Sequence, residues 1–247
     1  MRIPRLCLPV PLAEGALIEL DDNTRRHCVT VLRLKPGAAV VLFNGEGGEY
    51  DAAIDAISAH AATVRVGRYV DVSRESPLRV HLAQALLKGD RMDYALQKAV
   101  ELGVARITPI TAERCVMRLK PDAVARRLEH WQGVVQSACE QCGRDLLPAI
   151  DAPEALQGFV AGAKARTRLV LHPGAQTTLA TIEASGNDIT LLSGPEGGFT
   201  DVEVARAEAA GFNRIAMGPR VLRAESASVA ALAAVQTLWG DLAGQGA

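Results

Sequence analysis

The apolar positions of this 247-residue chain follow two different rhythms. Up to residue 71 they come as short runs, at 16–20, 29–34, 39–43, 50–57 and 63–70. Turn formers separate them: Lys35-Pro36-Gly37, Asn44-Gly45 and Gly47-Gly48. Several short strands at that spacing predict a small β-barrel over residues 1–71. Residues 72–77, VSRESP, are polar and end in proline, which places a linker at 72–78. Over residues 79–247 strands alternate with helical patterns. Strands are expected at 80–86, 106–110, 168–172, 189–192 and 214–217. One helix opens at Asp90, carries Met92, Leu96, Ala99 and Val100 on one stripe, and stops at Gly103. A long helix follows Pro121 and stops at Gly143. Thr200 and Glu203 have the spacing of a capping box, so another starts there. The last runs from near Ser226 to Trp239. Such alternation predicts an α/β domain built on a mostly parallel sheet covered on both faces.

Two glycine-rich loops punctuate that second domain. Ser193-Gly194-Pro195-Glu196-Gly197-Gly198 can continue neither a strand nor a helix, and it sits between the apolar run 189–192 and the Thr200 capping box. Strand, glycine loop, helix is how α/β proteins present backbone amides to a ligand at the carboxyl edge of a sheet. The loop has neither the Lys-Ser/Thr of a phosphate-binding P-loop nor the G-x-G-x-x-G spacing, and the Glu196 charge opposes a phosphate. A cationic or zwitterionic ligand suits it better. The second loop, from Met217-Gly218-Pro219-Arg220 to Ser226, follows one helix later. Each loop alone is adequately explained as a turn that needs positive φ. Together, with Arg223 and Glu225 in the second, they read as two walls of one pocket.

Charge and cysteine content narrow the class. The net charge of −1 hides an asymmetry: Arg74 to Arg127 contains eleven Lys/Arg against six Asp/Glu. The first 35 residues hold Arg2, Arg5, Arg25, Arg26, Arg33 and Lys35 against four acids. Such clustering fits either a surface facing a polyanion or ordinary solvated faces. The amino-terminal MRIPRLCLPV has prolines and arginines where a secretory signal needs an apolar stretch. No uncharged apolar run reaches membrane-spanning length. A cytoplasmic protein with reduced thiols and no membrane segment is expected. Cys139 and Cys142 form a single C-x-x-C inside a helical pattern. With no second pair, packing is the expected role and no metal is expected.

The two loops, taken with motifs spread over most of the chain, resemble the ribosomal RNA small-subunit uridine-N3 methyltransferases of the SPOUT class. Gly194-Pro195-Glu196-Gly197-Gly198 and the run from Met217 to Ala227 carry the likeness. His27 with Val31-Leu32-Arg33 and Gly37, the stretch from Lys98 to Val104 with Pro109 and Glu113-Arg114, and Glu140-Gln141-Cys142 with Arg144 and Pro148 extend it. Ser226 stands where threonine is more usual, Met217 where leucine is, and Cys7 replaces a bulkier apolar residue.

The resemblance implies an amino-terminal PUA-like β-barrel that binds RNA and a carboxyl-terminal trefoil-knotted SPOUT methyltransferase domain. It further implies a homodimer, S-adenosylmethionine as cofactor, and 16S ribosomal RNA or the small ribosomal subunit as partner. On this reading the cofactor lies across three strand ends. Leu171 and His172 form the first edge. Leu192, Ser193, Gly194, Pro195, Glu196, Gly197 and Gly198 form the second, and Met217, Gly218, Val221, Leu222 and Ser226 the third. Arg223 is expected to stabilise charge on the uracil carbonyls. Glu225 is expected to orient it or to take the N3 proton. RNA contacts are expected from Arg2, Arg5, Arg25, Arg26, His27, Arg33, Lys35, Lys88, Arg91, Lys98 and Arg114. Two other readings stand beside this one: a nucleotide-dependent α/β enzyme, and a non-catalytic RNA-binding protein.

Overall fold

The structure, a computed structural model, describes residues 3–244. Contacts divide the chain into two compact units, Met1–Glu75 with Cys139–Leu147, and Ser76–Ala138 with Pro148–Ala247.

The first unit holds β1 (Arg5–Cys7), β2 (Leu17–Glu19), α1 (Asp22–Arg26) running into a π-type turn at His27–Val31, β3 (Ala39–Phe43), β4 (Glu49–Ile57) and β5 (Ala62–Val70). The strands form one sheet in the order β1-β3-β4-β5-β2, antiparallel except where β1 runs parallel to β3. Among the described residues no pairing joins β1 to β2. Leu6, Val40, Leu42, Ile54, Val64 and Val66 bury one face, closed over by Leu20 and Cys28. Residues 29–34, expected as a strand, are not one. The Asp21 carboxylate accepts the amides of Asn23 and Thr24, and this cap starts a helix that carries through His27 to Val31. A local cap outweighs a short apolar run whose period is ambiguous.

An ion pair and hydrogen bonds to backbone groups hold residues 139–147 in this unit. Arg5 pairs with Glu49 and Arg144 with Glu75, and Arg74 reaches Glu49 at 3.0 Å. Asp145 accepts the Gly48 amide at 2.7 Å, and Glu140 accepts that of Cys7 at 2.9 Å.

The second unit comprises β6 (Arg79–Ala85), α2 (Asp90–Glu101), β7 (Val104–Thr111), most of α3 (Pro121–Cys142), β8 (Ala149–Ile150), β9 (Glu154–Ala155), α4 (Leu156–Gly162), β10 (Thr167–Leu171), β11 (Asp188–Ser193), α5 (Asp201–Ala209), β12 (Asn213–Ile215) and α6 (Ala224–Trp239). The sheet is parallel throughout, in the order β12-β10-β11-β6-β7-β8, with β9 also on β7. Both faces are covered, which is why its strands read as continuous apolar runs. Ala83, Val170 and Leu192 point to a cluster with Phe159, Val160, Val204 and Ala207 of α4 and α5. Their strand neighbours Leu82, Leu169 and Leu191 face the other way and are just as buried. On that side α2 packs on α6, and Gln236 of α6 bonds to Ser76 and to the Leu102 carbonyl. The capping box at Thr200 and Glu203 is present, and Gly103 and Gly143 end α2 and α3 with positive φ.

Candidate functional site

Three strands of the second unit end side by side. β12, β10 and β11 are neighbours, but the chain goes from β10 to β11 on one side and then crosses to β12 on the other. That reversal leaves a crevice beyond the carboxyl ends, where open α/β sheets bind ligands. A cavity of about 610 Å³ lies there. Leu171, His172, Ser193, Gly194, Pro195, Glu196, Gly197, Gly198, Met217, Gly218, Val221 and Leu222 line it, as do Arg223 and Glu225. Two expected cofactor residues do not: Leu192 is buried in the core, and Ser226 is exposed outside the lining. In β11 alternate residues face opposite ways, so Leu192 turns into the core when its neighbour Ser193 faces the crevice.

Each wall has a local cause. The Gly198 amide donates to the Pro195 carbonyl at 2.8 Å, making the first loop a tight turn. Phe199 is buried directly beneath it, and a Cβ at Gly194 would stand 3.3 Å from the phenyl ring. The His172 amide donates to the Ile215 carbonyl at 2.9 Å, continuing the β10–β12 ladder to the rim. Gly218 has φ of 87°, a conformation L side chains rarely adopt.

The site carries unbalanced polar groups. Glu196 Oε1 accepts the Lys88 amide at 3.0 Å and Arg91 Nη1 at 3.4 Å. Arg91 Nε also lies 3.8 Å from Glu225 Oε1. The other oxygen of each carboxylate, and the Ser193 hydroxyl, are buried with no hydrogen-bond partner. Three such groups converging on one cavity point to a ligand that supplies donors. Glu225 therefore faces Arg91, not Arg223 as its place in the sequence suggested. One residue intervenes between Arg223 and Glu225, but Arg223 is the exposed N-cap of α6 and Glu225 is buried in its first turn. Arg91, Phe199, Ile215 and Arg220 also line the cavity and were missed as pocket residues. For Arg91 no local signal exists, since it lies 105 residues from Glu196 in the chain.

A model of the RNA methyltransferase domain matches residues 74–236, and one of the RNA methyltransferase PUA domain matches residues 20–67. The chain is 34% identical over 242 residues to the ribosomal RNA small subunit methyltransferase E of Buchnera aphidicola subsp. Schizaphis graminum, covering 98% of both. The chain belongs to the ribosomal RNA small subunit methyltransferase E family. A methyltransferase E of Neisseria gonorrhoeae bound to S-adenosyl methionine matches with TM-score 0.90 and 38% identity, over 98% of this chain and all of that one. A Legionella pneumophila protein solved with the cofactor SAM matches with TM-score 0.95 and 40% identity, over the same shares.

The expected RNA residues have varied surroundings. Arg2 lies outside the described residues. Arg5 is a correction: its side chain is 6% exposed, paired with Glu49, bonded to the Arg144 carbonyl and stacked over Phe43. Arg25 is half-buried on Asp22 and the Ala59 carbonyl. Arg26, His27, Arg33 and Lys35 are exposed on the first unit, with Arg33 in left-handed backbone at φ 53°. In the second unit Lys88 is exposed, Lys98 is paired with Glu101 at 2.8 Å, and Arg114 donates to the Gly197 carbonyl at 3.2 Å.

Elsewhere, five cysteines are free and no cluster of three metal-binding side chains occurs among the described residues. Burial pushes the Cys139 thiol up to about 12, so it packs as a small apolar group. No helix among the described residues is long and apolar enough to cross a membrane.

Proposed function

We propose that this chain transfers a methyl group from S-adenosylmethionine to N3 of a uridine in small-subunit (16S) ribosomal RNA. The observation that carries the reading is the single cavity made by three strand-end loops, in a chain whose family relatives were solved with that cofactor. The residues fit the group. Leu171, Phe199, Ile215, Met217 and Leu222 offer apolar wall for an adenine, and Gly194 allows close backbone approach. Buried acceptors on Ser193 and Glu196 suit its positive and hydrogen-bond-donating parts.

When bound, the cofactor supplies an activated methyl on a sulfonium. The chain must orient the base, remove its N3 proton and stabilise the negative charge that spreads over the two flanking carbonyls. Arg223 sits free at the rim, and its planar fork suits two carbonyl acceptors. Glu225 Oε2, which has no donor, is the proton acceptor. RNA contacts come from Arg26, His27, Arg33 and Lys35 on the PUA-like unit and from Lys88, Lys98 and Arg114. The crossing of β11 to β12 past β10, followed by α6 packing against α2, supports the trefoil-knotted SPOUT class. The working enzyme is a cytoplasmic homodimer.

Labelled S-adenosylmethionine is supplied with unmethylated small ribosomal subunits, and the product is mapped by nuclease digestion and mass spectrometry. Label on N3 of one uridine is expected. Label on another atom or base, or none in intact subunits, refutes the proposal. Arg223→Ala should lower turnover far more than cofactor affinity. Equal losses would make it a binding residue.

A further inference from the structure

We propose that Arg91 is a positioning residue of the methyl-transfer site: it ties the carboxylate of Glu225 to the carboxylate of Glu196. The inference rests on the reading of the cavity given above. Three observations carry it.

First, the guanidinium makes two acidic contacts, through Nη1 to Glu196 at 3.4 Å and through Nε to Glu225 at 3.8 Å. These acids stand on different segments, the loop after β11 and the first turn of α6, and among the described residues no other ion pair joins them. Secondly, the backbone that carries Arg91 is anchored. It lies in the first turn of α2, where Met92 is 1% exposed, and the amide of Lys88 just before that helix also donates to Glu196. The start of α2 thus holds Glu196 from two sides. Thirdly, both contacts fall on Oε1, while Oε2 of each carboxylate is buried without a partner. One guanidinium, hydrogen-bonded to Glu196 and in charge contact with Glu225, faces the same oxygen of each acid and leaves the other turned away.

The geometry performs two tasks. It keeps two carboxylates close together by placing one positive charge between them, where like charges would otherwise repel. It also sets the rotamer of Glu225, so that its free oxygen is aimed before substrate arrives. Preorganisation of this kind acts on the chemical step more than on binding. Lysine is a poor substitute, since a point charge cannot engage two acids with fixed geometry.

The rival role for an exposed arginine in an RNA enzyme is a phosphate contact, and the two make opposite predictions. The experiment compares Arg91→Gln and Arg91→Lys with the wild-type full chain on unmethylated small subunits. It measures kcat, KM for the subunit, S-adenosylmethionine affinity by calorimetry, and the salt dependence of RNA binding. Positioning predicts that Arg91→Gln loses about 100-fold in kcat, that KM and the salt slope barely move, and that Arg91→Lys recovers only part of the loss. Retained cofactor affinity shows that the pocket is still folded. A phosphate contact predicts unchanged kcat and a salt slope reduced by about one; that result overturns the proposal. Loss of cofactor affinity in step with kcat also overturns it, because the residue would then only support the pocket. If the wild-type chain itself neither binds the cofactor nor methylates the subunit, the functional reading fails independently of Arg91.

Discussion

At the scale of single residues, the site depends on groups whose neighbours lie far away in the chain. Gly194 shows this well. Its conformation is ordinary, yet a Cβ there meets Phe199, which is 6% exposed and cannot retreat. Gly194→Val should therefore distort the cavity and reduce S-adenosylmethionine affinity at least tenfold by calorimetry. Gly218→Val should do the same for a different reason, because φ of 87° strains any β-branched side chain. If either variant binds as the wild type does, the three-loop cavity is not the cofactor site. Buried charge gives a second residue-scale prediction. Arg5 is 6% exposed and Glu49 13%, so Arg5→Met leaves a carboxylate half-compensated in the first unit. Arg74 still partners Glu49, so denaturant unfolding should show a loss of about 1–3 kcal/mol, whereas a surface RNA contact would cost almost nothing.

At the scale of elements, the second unit carries a partly buried polar chain that runs to the edge of its sheet. His81 on β6 lies 2.7 Å from Thr108 on β7, and the Thr108 hydroxyl donates to Asp151, which is clamped by Arg106 at 2.8 and 2.9 Å. A threonine has one proton, so His81 Nε2 must be the donor to it. Burial first, and the Arg106 charge second, push the imidazole down to about 4, against the pull of Asp151. The unfolded chain then binds a proton that the folded one refuses. Stability is full above the ordinary histidine value of 6.5 and falls as pH drops from there to about 4. The loss amounts to about 3 kcal/mol. His81→Gln should flatten this part of the stability–pH curve; an unchanged slope would show that other groups cause it. The same scale explains what was missed. β1, β8, β9 and α4 are two to seven residues long and exist through pairing or docking with distant partners. By contrast, β3, β4, β5 and α3 are long or strongly patterned, and they lie within a residue or so of where periodicity puts them.

At the scale of the molecule, two units of unlike design share one chain. Electrostatics gives the test that belongs here. Arg26, Arg33 and Lys35 are exposed on the first unit; Arg26 precedes a π-type turn, and Arg33 has left-handed backbone. Both features are uncommon and tend to mark functional sites. Replacing all three with glutamine should weaken binding to small-subunit RNA and lower its salt slope by about two to three, with cofactor affinity unchanged. A slope equal to that of the wild type would remove this surface from the RNA interface.

The sequence by itself determined the class of the protein. Apolar periodicity separates a β-rich first unit from a parallel α/β second one, because pleat and helix impose their periods locally. Glycine, proline and capping residues locate the two loops for the same reason: their constraints act within a few bonds. Only the tertiary structure decided which side chains meet. It buried Arg5, turned Leu192 into the core and paired Glu225 with Arg91 instead of Arg223, because contacts through space depend on how the strands are ordered. That order, β12-β10-β11, is set by packing both faces of the sheet at once, and no local stretch of residues encodes it.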